Sequence, residues 1–208
     1  RRLYAVSRAG RSLLGAGRVI YDGSSAEPAL EGRKVYKRGG WYYVCAPAGS
    51  VETGWETVLR ASSMTGPWEA RNVLFQGDTP VNGPHQGGWV ELDDGECWFV
   101  HFQDAHLYGR IVHLQPMRWE QDGWPRIGEP MGDEGEGQPV MRWARPTSLP
   151  PSPRCLPQTD DSFAHGVPGL QWQWQANPHA DWLLPGNDRL NLRCCPLPQG
   201  EDKGNFYW

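Results

Sequence analysis

Lys34-Val35-Tyr36-Lys37, Arg38-Gly39-Gly40 and Trp41-Tyr42-Tyr43-Val44-Cys45-Ala46 decide the fold of this chain. Two runs of β-branched and aromatic residues flank a glycine turn, the pattern of an antiparallel hairpin. Two more runs, Glu56–Ser62 and Trp68–Phe75, complete a predicted unit of four strands. The arrangement recurs downstream as Gly88–Leu92, an Asp93-Asp94-Gly95 turn, Cys97–Gln103, Gly109–Leu114 and Met117–Ile127. The two units are offset by roughly 53–56 residues, which is the size of one propeller blade. Trp68, after Gly66-Pro67, and Trp119 mark equivalent outer strands. The prediction is an all-β chain built from blades.

Outward from these units the texture changes. Leu3–Val6 and Arg18–Tyr21 are strand-like around an Arg8-Ala9-Gly10 turn, so residues 1–30 read as the remnant of an earlier blade. A blade buries its faces against two neighbours, and two blades with a remnant therefore predict more sequence upstream. The chain also starts at Arg1 without Met and stops at Phe206-Tyr207-Trp208 in mid-pattern, so it is expected to be cut at both ends. Residues 131–161 are expected to be a linker, from Asp133-Glu134-Gly135-Glu136 and from Pro146, Pro150, Pro151, Pro153 and Pro157. The acidic loop lacks the spaced ligands of an EF-hand. Residues 162–208 are expected to begin a second β domain, because Gly169–Trp174 alternates with period two and Arg189–Arg193 resumes the pattern.

Composition narrows the function classes. Charged residues make up 21% with a formal net charge of -4, so no basic field exists to attract a nucleic-acid backbone. No apolar run is long enough to cross a bilayer, and no membrane partner is expected. Twelve Trp, seven Tyr and five Phe accompany a mean hydropathy of -0.63. Such rings suit stacking on sugars, whose C–H faces are apolar, and suit filling a core equally. Cys45, Cys97, Cys155, Cys194 and Cys195 follow no disulfide or zinc spacing; Cys45 and Cys97 lie in apolar runs where a thiol acts as a small hydrophobe.

The polar residues at strand edges among glycines are few: Glu31, His85 and Arg110, with Gln86, Gln103 and Trp41 beside them. A carboxyl held among aromatics has its charged form disfavoured, as a general acid requires. Three segments are distinctive: Glu31-Gly32-x-Lys34-Val35-Tyr36-Lys37; Gly77-Asp78-Thr79-Pro80-x-Asn82-Gly83-Pro84-His85-Gln86-Gly87-Gly88-Trp89; and Trp98-Phe99-x-His101-Phe102-Gln103-Asp104 followed by Tyr108-Gly109-Arg110-x-Val112-His113-Leu114-Gln115-Pro116-Met117. Together they closely resemble glycoside hydrolase family 43, in the branch of β-xylosidases and α-L-arabinofuranosidases with a carboxy-terminal sandwich domain. The likeness covers most of residues 1–130 and continues into Phe163–Asn177.

The resemblance implies the last two blades of a five-bladed β-propeller over 1–130, then the start of a concanavalin-like β-sandwich over 162–208. It implies inverting, exo-acting hydrolysis of xylosyl or arabinofuranosyl linkages in hemicellulose, with a xylo- or arabino-oligosaccharide as substrate. Glu31 matches the family's general acid, Arg110 its sugar-pocket arginine and His85 its axial histidine, which in many members helps hold calcium or a water cluster. Gln86, Gln103 and Trp41 are candidate substrate contacts, with Trp41 equally suited to the core. No cofactor is required; the resemblance allows a structural calcium at His85, whose axial position it implies without implying metal contact. The family's catalytic base and its pKa-tuning Asp lie upstream of the Glu-Gly motif, where this chain offers only Asp22, in a turn. An acid without its base cannot activate water, so the chain as it stands is expected to be inactive. The alternatives are a non-catalytic carbohydrate-binding module and a protein-interaction platform.

Overall fold

The computed structural model describes residues 1–132, 135–156, 159–164, 169, 171–173, 179, 181–184, 186 and 188–194. They fall into two units, residues 1–150 and 151–208. No α-helix occurs among them. The strands are β1 (Arg2–Leu3), β2 (Arg18–Val19), β3 (Lys34–Arg38), β4 (Trp41–Ala48), β5 (Trp55–Ala61), β6 (Glu69–Leu74), β7 (His85–Glu91), β8 (Cys97–Asp104), β9 (Arg110–Trp119), β10 (Pro125–Ile127), β11 (Glu129–Pro130), β12 (Gly137–Gln138), β13 (Leu183–Leu184) and β14 (Asn191–Leu192). A single 3-10 turn, His106–Tyr108, joins β8 to β9.

Two antiparallel sheets of four strands dominate the first unit, ordered β3-β4-β5-β6 and β10-β9-β8-β7. The first hairpin turns on Gly39 and Gly40, both at positive φ (55° and 84°), which is the two-residue turn that matches strand twist. β1 pairs with β2, as the short runs before residue 30 predict. In the second sheet the expected division between Leu114 and Met117 is absent. β9 is continuous, with Pro116 opposite Trp98, and the reversal falls later at Gly123, whose N–H bonds to Glu120 O at 2.9 Å. Asp122-Gly123 was the turn signal there, stronger than the proline.

The sheets pack face to face, with β7 lying over β4 and β5. β4 explains why the first sheet is apolar along its length. Tyr43 and Cys45 point into the core between the sheets, while Val44, Ala46 and Ala48 point to a second core with Leu30, Leu59, Ala61 and Trp68. A strand buried on both faces reads as a continuous apolar run. Tyr36 stacks on Trp89 at 3.8 Å, and Trp89 meets Trp119 edge-on at 5.0 Å. Cys45 and Cys97 are buried free thiols in that core, as their apolar settings predict.

The outer end of the interface is closed by arginine. Arg60 lies between two indoles, its guanidinium carbon 4.6 Å from the Trp41 ring and 4.4 Å from Trp124. It also donates to Asp122 O at 2.7 Å and to Glu69 Oε2 at 2.8 Å. Tyr43 Oη donates to Gly123 O at 2.7 Å, so both sheets are tied at this rim.

The expected linker is in part built into the first unit. β12 pairs with β11, Phe75 N–H bonds to Gly137 O at 2.9 Å, and Val140 N–H bonds to the Gln115 side chain at 2.7 Å. These backbone bonds give residues 135–140 a fixed place that their Gly-rich composition does not announce. In the second unit β13 pairs with β14. The run 169–174 lies partly outside the described residues, and its described part forms a turn closed by Trp172 N–H to Gly169 O. Cys195 and Phe206-Tyr207-Trp208 lie outside them too.

Replacing Arg60 by Ala is expected to destabilise the chain by about 2–3 kcal/mol, from two desolvated cation–π contacts and two hydrogen bonds. Arg60→Lys should recover less than half, since an ammonium cannot lie flat between two rings. Urea denaturation checks this. The exposed Arg118→Ala, as control, should change stability by less than about 0.5 kcal/mol.

Candidate functional site

Glu31 reaches its position through the segment before it. Ala29 takes a positive φ of 57°, which turns Leu30 down into the second core, where it is 2% exposed. Glu31 N–H then bonds to Pro47 O at 3.0 Å at the end of β4, and Gly49 N–H bonds to Pro28 O at 2.7 Å. Gly32, at φ 52°, lies against the Gln86 side chain so closely that a Cβ there would be 1.9 Å from Gln86 Oε1. A side chain here would be strained by the positive φ and would push the Gln86 amide away from its place beside Glu31.

The partner is delivered by an irregularity in β7. His85 pairs with Phe102 and Gly88 with Val100, so two residues, Gln86 and Gly87, oppose the single His101. That is a β-bulge, and Gln86 sits in it at φ 54°. From there Gln86 Nε2 donates to Glu31 Oε1 at 3.1 Å. His85 Nε2 lies 3.5 Å from the same oxygen. Lys34 Nζ donates to Gln86 O at 2.7 Å.

Beneath the bulge is a carboxyl that the sequence reading passed over. Glu56 is fully buried, and its Oε2 accepts from Gly87 N–H at 3.0 Å. Burial pushes its pKa up to about 8, against the opposing effects of the Gly87 N–H and of Lys34. Its sequence signal was a charged residue inside Trp55-Glu56-Thr57-Val58-Leu59, an otherwise buried strand.

His85 is 1% exposed, and burial holds its imidazole below the usual range despite the pull of Glu31. It is therefore neutral at pH 7. Its ring meets Phe102 edge-on at 5.8 Å, and the Arg110 guanidinium carbon stands 4.6 Å from the same phenyl ring. Phe102 thus links Arg110 to His85 and, through it, to Glu31. Glu31, Gln86, His85 and Arg110 are brought together.

Two candidates are elsewhere engaged. Gln103 donates to Asn82 Oδ1 at 3.2 Å and accepts from His113 at 2.7 Å, so its amide supports the loop before His85. Its neighbour His101, pushed down to about 4 by burial, accepts from Gln115 Nε2 at 3.2 Å. Trp41 starts β4 while Pro47 holds Glu31 near its end, about 20 Å away at strand rise. Trp41 packs on Arg60 and the core instead.

The Glu31 side chain is 57% exposed, so the enclosure expected around it is not formed among the described residues. Among the described residues its polar contacts fall on one carboxylate oxygen, Oε1. His85 Nδ1 is buried without a partner. Calcium takes about six to eight oxygen ligands. The described residues bring no three His, Cys, Asp or Glu side chains together in a metal-holding group, so the donors at His85 do not by themselves fit that ion.

Residues 3–125 match the family described as glycosyl hydrolases family 43. A candidate β-xylosidase of Xylanibacter ruminicola is 48% identical over 198 residues, 93% of this chain and 36% of the relative. A β-xylosidase of Formosa agariphila is 34% identical over 91% of this chain and 35% of its own length. The crystal structure of a xylan β-1,4-xylosidase from Bacillus halodurans C-125 superposes with a TM-score of 0.71 at 25% identity, over 91% of this chain and 38% of that one. The chain spans about a third of the length of the curated relatives it matches.

Glu56 has a consequence for pH. Its folded pKa lies above its unfolded value, so its stabilising contribution is full below about pH 4.5 and is lost as pH rises through about 8. Melting temperatures of the chain should therefore fall across this window by more than those of Glu56→Gln, which cannot ionise. Parallel profiles for the two proteins would contradict the assignment.

Proposed function

The chain belongs to glycosyl hydrolases family 43, and from that premise we propose that it carries the acid half of an inverting, exo-acting glycosidase site for xylosyl or arabinofuranosyl ends of hemicellulose. The observation that carries this is the shared anchoring of Glu31 Oε1 by Gln86 and His85. Glu31 is the general acid. Its proton passes to the glycosidic oxygen as the bond to the anomeric carbon breaks, which leaves a neutral alcohol. Neutral His85 orients the carboxyl without neutralising it as a cation would. Arg110, exposed over Phe102, is a planar donor for sugar hydroxyls. The names of similar proteins include both a β-xylosidase and an α-L-arabinofuranosidase, which supports a pentosyl end without choosing between the two sugars.

An inverting mechanism needs a second carboxylate about 6.5–9.5 Å from the acid, with room for water. Asp22 does not serve. It lies in an exposed turn where the Ser24 side chain, and then Ser24 N–H donating to Oδ1, hold its pKa below the usual range. Among the described residues no carboxylate but Glu31 forms a side-chain hydrogen bond or ion pair with His85, Gln86 or Arg110. Among the described residues Glu31 is then an acid without a base, and we propose that the chain as it stands has no useful hydrolysis of its own.

Azide can replace the missing nucleophile. It attacks the anomeric carbon from the face opposite the leaving oxygen, and Glu31 protonates that oxygen. The purified chain should leave phenyl β-D-xyloside and phenyl α-L-arabinofuranoside intact in plain buffer. With azide it should form glycosyl azide of inverted configuration, and Glu31→Gln should lower that rate about a hundredfold. A product rate indifferent to Glu31→Gln, or turnover without azide, would contradict the proposal. Sugar binding with no azide product, equal in both proteins, would favour a non-catalytic carbohydrate-binding module.

A further inference from the structure

We propose that Glu56 is a positioning residue for the Glu31 site: its carboxyl, through Gly87 N–H, holds the Gln86–Gly87 bulge in the shape that carries Gln86 and His85 onto Glu31. The catalytic meaning of this rests on the glycosidase reading above; the geometry stands by itself.

The bulge needs such a support. A non-glycine residue at φ 54° is unfavourable by its own backbone, and such conformers persist only where surrounding contacts over-determine them. Three bonds act on this one: Lys34 Nζ on Gln86 O at 2.7 Å, Gln86 Nε2 on Glu31 Oε1 at 3.1 Å, and Gly87 N–H on Glu56 Oε2 at 3.0 Å. The first two involve exposed side chains that exchange readily with water. Only the third is buried. It comes from β5 of the other sheet, so it also sets the distance between the sheets at the site end.

Steric closeness makes that bond specific. A Cβ at residue 87 would lie 2.1 Å from Phe99 Cζ and 2.9 Å from Glu56 Oε2. The Gly87 backbone is therefore pressed close to both the carboxyl and Phe99, itself fully buried. An apolar residue at 56 would leave the Gly87 donor buried and unpaired. Glutamine would not, because its carbonyl oxygen has the place of Oε2. Burial raises the Glu56 pKa to about 8, so a neutral carboxyl, close in shape to that glutamine, predominates at pH 7.

The test is nuclear magnetic resonance on the whole 208-residue chain. In the wild type, the Gly87 amide should be protected from hydrogen exchange and show through-bond coupling to the Glu56 carboxyl carbon. Glu31→Gln should shift the Gln86 side-chain amide signals. In Glu56→Ala, Gly87 exchange should speed up about tenfold or more relative to Phe99, and Glu31→Gln should no longer move the Gln86 signals. Glu56→Gln should restore both behaviours. An undiminished Gln86 response in Glu56→Ala would overturn the proposal. If that variant does not fold, the wild-type coupling decides: its absence, with fast Gly87 exchange, overturns it equally. None of these readouts involves glycoside cleavage, so failure of the glycosidase reading leaves them unchanged and their failure leaves the azide experiment unchanged.

Discussion

Where β7 leaves the loop, side chains of β3, β5 and its own neighbour β8 leave its backbone no space for a Cβ. At Gly87 the obstacle is Phe99 and Glu56; at Gly88 a Cβ would lie 2.6 Å from Tyr36 Oη. The two glycines let a strand of one sheet settle onto the face of the other, and the tight contact leaves the Gly87 N–H facing a buried carboxyl rather than water. From that contact follow the extra residue in β7, the left-handed Gln86 and the meeting of Gln86 with Glu31, which lies in the segment before β3 and is held to β4 by its N–H. A wider spacing would separate the acid from both of its partners.

The interface is polarised along its length. One end is an aromatic rim where Arg60, Trp41, Trp124 and Tyr43 lock the sheets by stacking and hydrogen bonds. The middle is a dry core of Val58, Phe99, Trp89 and Ile127. At the other end polar groups replace apolar ones, and burial decides their state: Glu56 is kept largely protonated and His85 neutral. Rigidity at the rim and core is what allows an exposed carboxyl such as Glu31 to be held by only a few contacts. Sites built on sheet elements retain their geometry better than sites built on loops.

Much of this was legible in the sequence because it rests on local patterns. The hairpins at Gly39-Gly40 and Gly95, the blade-sized repeat and the grouping of Glu31, His85 and Arg110 all follow from turn chemistry, periodicity and the family-like motifs. What escaped was non-local. Glu56 looks like any strand glutamate until the opposite sheet covers it, and the roles of Gln103 and Trp41 depend on what lies across from them. β9 misled because Pro116 reads as a breaker, yet its neighbour β10 covers only the last part of the strand, and Pro116 O accepts from Gly128 instead. The place of residues 135–140 is likewise set by backbone bonds to distant strands, which composition does not record.

The central claim is that Glu31, steadied by Gln86 and His85, faces the oxygen of a sugar linkage. A crystal structure of the chain with xylobiose bound tests it most directly. The account predicts the glycosidic oxygen at about 3 Å from a Glu31 carboxylate oxygen, with Arg110 donating to a hydroxyl of the same sugar. Xylobiose bound elsewhere, with Glu31 turned away from Gln86 into bulk water, would contradict it.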